Sequence, residues 1–303
     1  MMKNFIIALL VSTALVVGLT ACGKSESEKT SKSSDVAKEA DATEEVTEAA
    51  TTTEAEPEVK GTALNNDQLD VSKYSSELIE WGSGGPRDDL NRSAGAVMYQ
   101  DKYKDFNAYF IAPMEDKEDK VIYLTFDIGY TNEATTDILD TLKEKDVPGV
   151  FFATLDVVEN QKEICNRIIN EGHELANHSV SHTNMAAKSV EEQTKEIMDV
   201  NDAALKNYNY QMHLWRYPEG KFSEQGLAVV NNCNYRAVFW SFAHHDWVVE
   251  DQPPVGESLQ NAVDCLAPGS IYLLHGISST NAAILPDLID QARDKGYRFE
   301  LLQ

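Results

Sequence analysis

From Lys120 to the C-terminus, short β-rich apolar runs alternate with stretches of helical periodicity, and that alternation restricts the chain to α/β architectures. The run 121–126 (Val-Ile-Tyr-Leu-Thr-Phe) ends on Asp127, and Asn132 is placed to cap a helix through Ile138, Leu139 and Leu142. Val147-Pro148-Gly149 breaks that helix before a second apolar run, 150–153. A helix through Ile164, Ile168 and Ile169 closes at Glu171-Gly172, and residues 175–177 lead into His178. Ser189 caps a helix over 189–206, and Leu214-Trp215 leads into Arg216. Ser223 caps a helix through Leu227, Val229 and Val230, before a strand at 235–240. Helix 259–266, strand 271–274 ending at His275, helix 282–295 and strand 297–301 complete the chain. About seven strands joined by helices predict a distorted, incomplete (β/α) barrel of parallel strands.

The polar residues sort to one end of this pattern. Asp127, His178, Arg216, Asp246 and His275 all fall at or just past the C-terminal end of an expected strand. In parallel α/β barrels that rim is where reactive side chains gather. A structural reason can be offered for each one singly, but not readily for all five together.

The first quarter of the chain has a different character. Lys3 precedes an apolar run over 5–17 that is interrupted only by Ser12 and Thr13. The run is short for a membrane span, which needs roughly 20 apolar residues, and its layout is that of a secretory signal. Leu19-Thr20-Ala21-Cys22 resembles the lipobox of bacterial lipoproteins, which implies cleavage before Cys22 and a lipid on its sulfur. The expectation is a signal peptide over 1–21 and a protein anchored to the outer face of the membrane without spanning it. From Gly23 to about Lys60 the chain is Ser, Thr, Ala, Glu and Lys, with five lysines against eleven carboxylates. Such a stretch buries too little apolar surface to offset its ordering entropy. Residues 22–74 are therefore expected to be an acidic, disordered linker, with one catalytic domain over 75–303.

The formal charge of the whole chain is −24, most of it outside the linker, which argues against nucleic acid and polyanions as partners. Cys165, Cys233 and Cys265 form an odd set without metal-like spacing, so no disulfide framework is implied. A monomer is expected.

Individual motifs carry chemistry of uneven specificity. Asp127-Ile128-Gly129 puts a carboxylate at a strand end beside a turn-permitting glycine, a pattern that is often only a turn. His178-Ser179-Val180-Ser181-His182 sets two imidazoles at i and i+4, able to chelate a divalent metal from one face of a helix or turn. Isolated histidine pairs are as often core or surface residues. Arg216-Tyr217-Pro218-Glu219-Gly220 places a cation before a rigid turn whose amides can face a site. Asp246-Trp247 and Leu273-Leu274-His275 supply a carboxylate and a histidine, the pairing that makes an imidazole more basic.

Taken in order, these motifs resemble the polysaccharide deacetylases, carbohydrate esterase family 4, with the NodB homology domain. The string TFDIGYTNE, Trp81-Gly82, the segment 103–110, the absence of a carboxylate at Ala243 and the Ile-Tyr-Leu-Leu-His275 ending are similar to one branch. That branch is the delta-lactam-biosynthetic de-N-acetylases of spore-forming bacteria, which act on N-acetylmuramic acid of peptidoglycan. The resemblance implies that Asp127 is the general base and His275, tethered by Asp246, the general acid. Arg216 would orient Asp127 and keep it ionised. His178 and His182 would hold a divalent metal, by expectation Zn2+. The amide near Glu219 would stabilise the oxyanion, and Trp240, Trp247 and Leu273 would wall the acetate pocket.

One position departs from the family pattern. Most members carry a second aspartate directly after the base as a third metal ligand; here it is Ile128, where the branch typically has asparagine. Two histidines alone imply weaker metal binding than the usual three protein ligands. Asp127, or His244 or His245 on the same rim, could complete the set; the bland reading of His244-His245 is a solvated loop. The expected function is N-deacetylation of peptidoglycan amino sugars, with N-acetylmuramic acid as the target. The alternatives are a glycan-binding lipoprotein with a degenerate site, or a deacetylase of N-acetylglucosamine or another surface glycan.

Overall fold

A computed structural model describes residues 58–114, 116 and 119–302. The expected signal peptide, Cys22 and most of the expected linker lie outside the described residues.

The core is a curled sheet in which every pairing is parallel. Reading across it, the strands are Ser270–His275, Val121–Ile128, Val150–Ala153, Glu174–Asn177, Leu214–Trp215, Arg236–Val238 and Ala108–Tyr109. These seven form an incomplete barrel, as the alternation predicts. Arg298–Phe299 adds to the lower half of the central Val121–Ile128 strand, while Val150–Ala153 pairs with its upper half. A bridge between Phe242 and Tyr272 draws the two ends of the curl together.

The two-residue period of the strands separates two apolar layers. Val150, Phe152, Ala176, Leu214, Val238 and Ile271 form a compact cluster within the curl. Ile122, Leu124, Phe126, Phe151, Leu175 and Leu274 point the other way, into the larger core beneath the helices. Strands covered on both faces read as continuous apolar runs, which is why the 121–126 run shows no alternation in sequence.

Helix starts follow the capping residues. Asn132 caps Glu133–Lys145 and Ser189 caps Val190–Tyr208, both with reciprocal capping boxes. Ser223 caps Glu224–Asn232. Ser278 caps Ser279–Asp294, three residues ahead of the start expected from periodicity. A short helix, Leu155–Asn160, and the edge strand Ala108–Tyr109 carry too little pattern to be seen in the sequence.

The linker boundary expected at Ser75 moves toward the N-terminus. Lys60–Gly61 pairs with Tyr210–Gln211. The Asn66 amide donates to the carbonyls of Asn231 and Tyr235, and the Leu69 N–H donates to the Asn232 side chain. These polar contacts, with a few partly buried side chains such as Val71 and Tyr74, hold the segment, so composition alone reads it as disordered. The strap continues through Ile79–Glu80, paired with Lys221–Phe222, to Trp81, whose N–H donates to the Gly220 carbonyl.

Candidate active site

At the C-terminal ends of the strands lies a cavity of about 750 Å³. Asp127, His178, His182, Glu219, Trp240, Trp247, Leu273 and His275 line it, so eight of the expected site residues converge. Arg216 and Asp246 stand immediately behind it, each bonded to a lining residue.

Asp127 and His275 are register partners on neighbouring strands. Their side chains share the inner face because strand positions in register point the same way. The Gly276 N–H donates to the Asp127 carbonyl. Thr135 and Asn132, the residues of the helix cap, donate to the carbonyls of Gly276 and Ile277. The turns that follow the two strands are thereby tied together.

Asp127 is 6% exposed and Arg216 fully buried. The Arg216 Nη1 donates to Asp127 Oδ1 at 2.7 Å and to Thr125 Oγ1 at 2.8 Å. Its Nε and Nη2 donate to the carbonyls of Val238 and Phe239, each at 3.1 Å. The guanidinium also lies over the Phe152 ring at 4.1 Å. Burial alone would raise the Asp127 carboxyl, but the Arg216 guanidinium, with His275 on the neighbouring strand, outweighs it and holds the group below its ordinary range.

His275 is displaced the other way. Burial would lower its imidazole, yet the Asp246 carboxylate raises it above the ordinary value. Asp246 Oδ1 lies 2.7 Å from His275 Nδ1, and its Oδ2 accepts the His275 backbone N–H at 2.8 Å. Two titratable groups on adjacent strands are thus pushed apart, one toward its base form and one toward its acid form.

The His178–His182 segment is a turn rather than a helix, with left-handed backbone at Ser179 (φ 74°) and His182 (φ 49°). Asn177 Oδ1 accepts from the Ser179 N–H, and Ser179 Oγ from the His182 N–H. Glu196, from the helix behind, accepts from the Val180 and Ser181 amides and the Ser181 hydroxyl. No sequence motif marks Glu196, since a buried carboxylate on a helix looks like any surface glutamate. The two imidazole rings are 4.9 Å apart at 76°.

His178 Nδ1 lies 3.0 Å from the Arg216 carbonyl, which can only accept, so Nδ1 carries the proton and Nε2 presents its lone pair. Burial pushes this imidazole down to about 4, keeping it neutral at physiological pH. Its Nε2 faces Asp127 Oδ2 at 3.6 Å, two lone-pair bearers with no hydrogen between them. That donor set suits a divalent cation held by His178 and His182. Among the described residues no group of three or more His, Cys, Asp or Glu side chains is gathered to hold a metal. Ile128 is fully buried in the core beneath the helices, not in the cavity wall, and a Cβ on Gly276 would come within 2.5 Å of its Cγ2.

Of the pair, His245 fits the solvated reading and His244 fits neither. His245 is exposed and packs on Trp247, ring centres 4.1 Å apart. His244 is no solvated residue: its side chain is largely buried, turns to Asn281 Oδ1 and Asp246, and does not line the cavity as His178 and His182 do. Trp240 and Leu273 form a buried wall, whereas Trp247 is 51% exposed and forms a rim. Glu219 sits in the wall with left-handed backbone (φ 55°), followed by Gly220 at φ 68°. The Trp81 indole N–H donates to the Trp240 carbonyl at 3.1 Å, so the N-terminal strap braces this wall. Gly129, Tyr130, Thr154, Asp156 and Ile277 complete much of the rest of the lining, and of these the motifs contain Gly129 and Tyr130 alone.

The family described as polysaccharide deacetylase matches residues 114–238. The chain is 34% identical over 226 residues to the peptidoglycan-N-acetylmuramic acid deacetylase PdaA of Bacillus subtilis, spanning 74% of this chain and 84% of that protein. It is 31% identical over 185 residues to a peptidoglycan-N-acetylglucosamine deacetylase of Bacillus cereus, spanning 60% and 66% respectively. In three dimensions it is similar to the structure of Bacillus subtilis PdaA, a family 4 carbohydrate esterase, with a TM-score of 0.69 and 32% identity over 75% of this chain and 96% of that one.

Proposed function

This chain belongs to the polysaccharide deacetylase family, and from that premise we propose that its cavity hydrolyses the N-acetyl group of N-acetylmuramic acid in peptidoglycan. At the coarser level it is a hydrolase acting on N-acetyl groups of peptidoglycan or chitooligosaccharides. The observation that carries the mechanism is the pair on adjacent strands: Asp127 held toward its ionised form and His275 toward its protonated form.

In this reading Asp127 takes a proton from the attacking water, whose oxygen bonds to the acetyl carbon. Arg216 keeps Asp127 ionised and fixes the direction of its free oxygen. The turn at Glu219 faces the developing oxyanion. His275, held by Asp246, gives its proton to the sugar nitrogen as the C–N bond breaks, leaving acetate and a free amine. Trp240 and Leu273 keep water from the acetyl methyl. A divalent ion held by His178 and His182 would supply Lewis-acid polarisation of the carbonyl and acidification of water. The muramic-acid target draws its support from the relative that spans most of both chains.

The test is acetate release from purified glycan strands stripped of stem peptides, with mass analysis of which sugar loses its acetyl group. Loss from muramic acid is the expected outcome; loss from glucosamine alone overturns the sugar assignment. A second reading, a glycan binder without turnover, rests on Ile128. Binding of strands without acetate release under any divalent metal would establish that reading instead. Leu19 to Cys22 further place the enzyme, in our proposal, on the outer face of the membrane by a lipid on Cys22. Labelled palmitate should enter the full chain and be lost in Cys22→Ser; label retained in that variant removes the anchor.

A further inference from the structure

We propose that His244 is a positioning residue for the proton donor, acting through Asn281 on the carboxylate of Asp246. The inference rests on the reading of His275 as the general acid.

Asp246 is fully buried, and what surrounds its oxygens decides where the His275 ring can sit. Oδ1 is taken by His275 Nδ1. Oδ2 accepts from the His275 backbone N–H and, at 2.5 Å, from the Asn281 side-chain amide. Asn281 is itself fully buried in the first turn of the Ser279–Asp294 helix, where the Ser278 hydroxyl caps its backbone N–H. Its amide nitrogen also donates to the His275 carbonyl at 3.1 Å, so one side chain holds both Asp246 and the main chain of the acid.

An asparagine amide has a donor end and an acceptor end, and nothing in its shape selects between them. Turned over, Asn281 would set its oxygen against the Asp246 carboxylate, acceptor facing acceptor, and the grip on His275 would be lost. His244 selects the productive orientation. Its Nε2 lies 2.8 Å from Asn281 Oδ1, and 3.5 Å from Asp246 Oδ2. Both neighbours accept, so Nε2 carries the proton and donates. The side chain of His244 is 7% exposed and packs against Phe242. It does not line the cavity, so its effect on turnover must pass through Asn281 and Asp246.

The test uses full-length protein and two readouts. The first is the downfield proton resonance of the His275–Asp246 hydrogen bond, assigned by its loss in His275→Ala; it needs no substrate. The second is kcat and KM for acetate release from stem-stripped glycan strands. His244→Leu should lose or broaden the resonance and lower kcat about tenfold, part of the 100-fold or more that a general acid contributes, with KM unchanged. His244→Gln returns an N–H donor near the place of Nε2 and should recover both. The double variant His244→Leu/Asn281→Leu should be no slower than Asn281→Leu alone, because the two residues act in series. An intact resonance with wild-type kcat in His244→Leu overturns the inference, as does equal loss in the Leu and Gln variants. If His275→Ala keeps its full rate, the acid assignment fails and the inference falls with it. If His275→Ala is dead while His244→Leu is fully active, only the inference fails.

Discussion

Replacing Arg216 by methionine isolates the interaction on which the site is built. Methionine keeps an apolar chain near Phe152 but removes four hydrogen bonds and, among the described residues, the one Arg or Lys bonded to Asp127. Breaking a buried ion pair from one side costs about 3–5 kcal/mol, because the partner charge stays buried and uncompensated. The stranded carbonyls of Val238 and Phe239 add to this, so a loss of at least about 4 kcal/mol is expected at pH 7. That is a large share of the roughly 5–15 kcal/mol that stabilises a typical domain.

The loss should depend on pH in a definite direction. In the wild type the folded pKa of Asp127 is depressed, so its contribution is present above the unfolded value near 4 and fades as pH falls through the folded one. Without Arg216, burial dominates and the folded pKa rises above the unfolded value. Protonation then relieves the variant as pH falls. Urea unfolding followed by tryptophan fluorescence should show the wild-type-to-variant gap shrinking by about 1 kcal/mol or more between pH 7 and pH 4.5. Asp127→Asn/Arg216→Met should be more stable than Arg216→Met, since it removes the stranded charge. A gap that stays constant with pH, or a double variant no better than the single, would refute the account.

Asp246→Asn removes the charge that raises His275, so burial should lower that imidazole. The protonated acid is then lost at lower pH, and the alkaline limb of the kcat–pH profile should move down; an upward or absent shift contradicts the relay. Gly220→Ala puts a Cβ at φ 68°, within 2.9 Å of the Trp81 carbonyl oxygen and of the Trp240 ring. Thermal unfolding should register a loss of about 1–3 kcal/mol, whereas an unchanged melting temperature would mean the strap and wall yield freely. Zinc titrated calorimetrically into metal-stripped protein should bind in the wild type and not in His178→Ala or His182→Ala; equal binding in all three would move the metal elsewhere.

Much of the framework is local and therefore readable. Asn132, Ser189 and Ser223 cap helices where their neighbours say they should, because a cap needs only the few amides beside it. Parallel strands joined by helices align their C-terminal ends, so residues spread from 127 to 275 could be assigned to one rim from position alone. What lay beyond the sequence depends on distant partners. The strap at 60–74 is ordered by amides that contact residues 231–235, so its composition says nothing of its fate. Glu196 and Asn281 hold the reactive turns from helices whose periodicity does not mark them. The histidine pair, open between helix and turn, became a turn through Ser179 and Asn177. His244 could be taken as solvent-facing or metal-facing until Asn281 was placed beside it. Sequence by itself determined the architecture and which end of it gathers the cavity-lining residues, because periodicity and capping act over a few residues. Only the tertiary structure decided the orientation of each acid, base and imidazole, because a buried polar group takes its direction and its proton from whichever partners the fold brings within hydrogen-bonding distance.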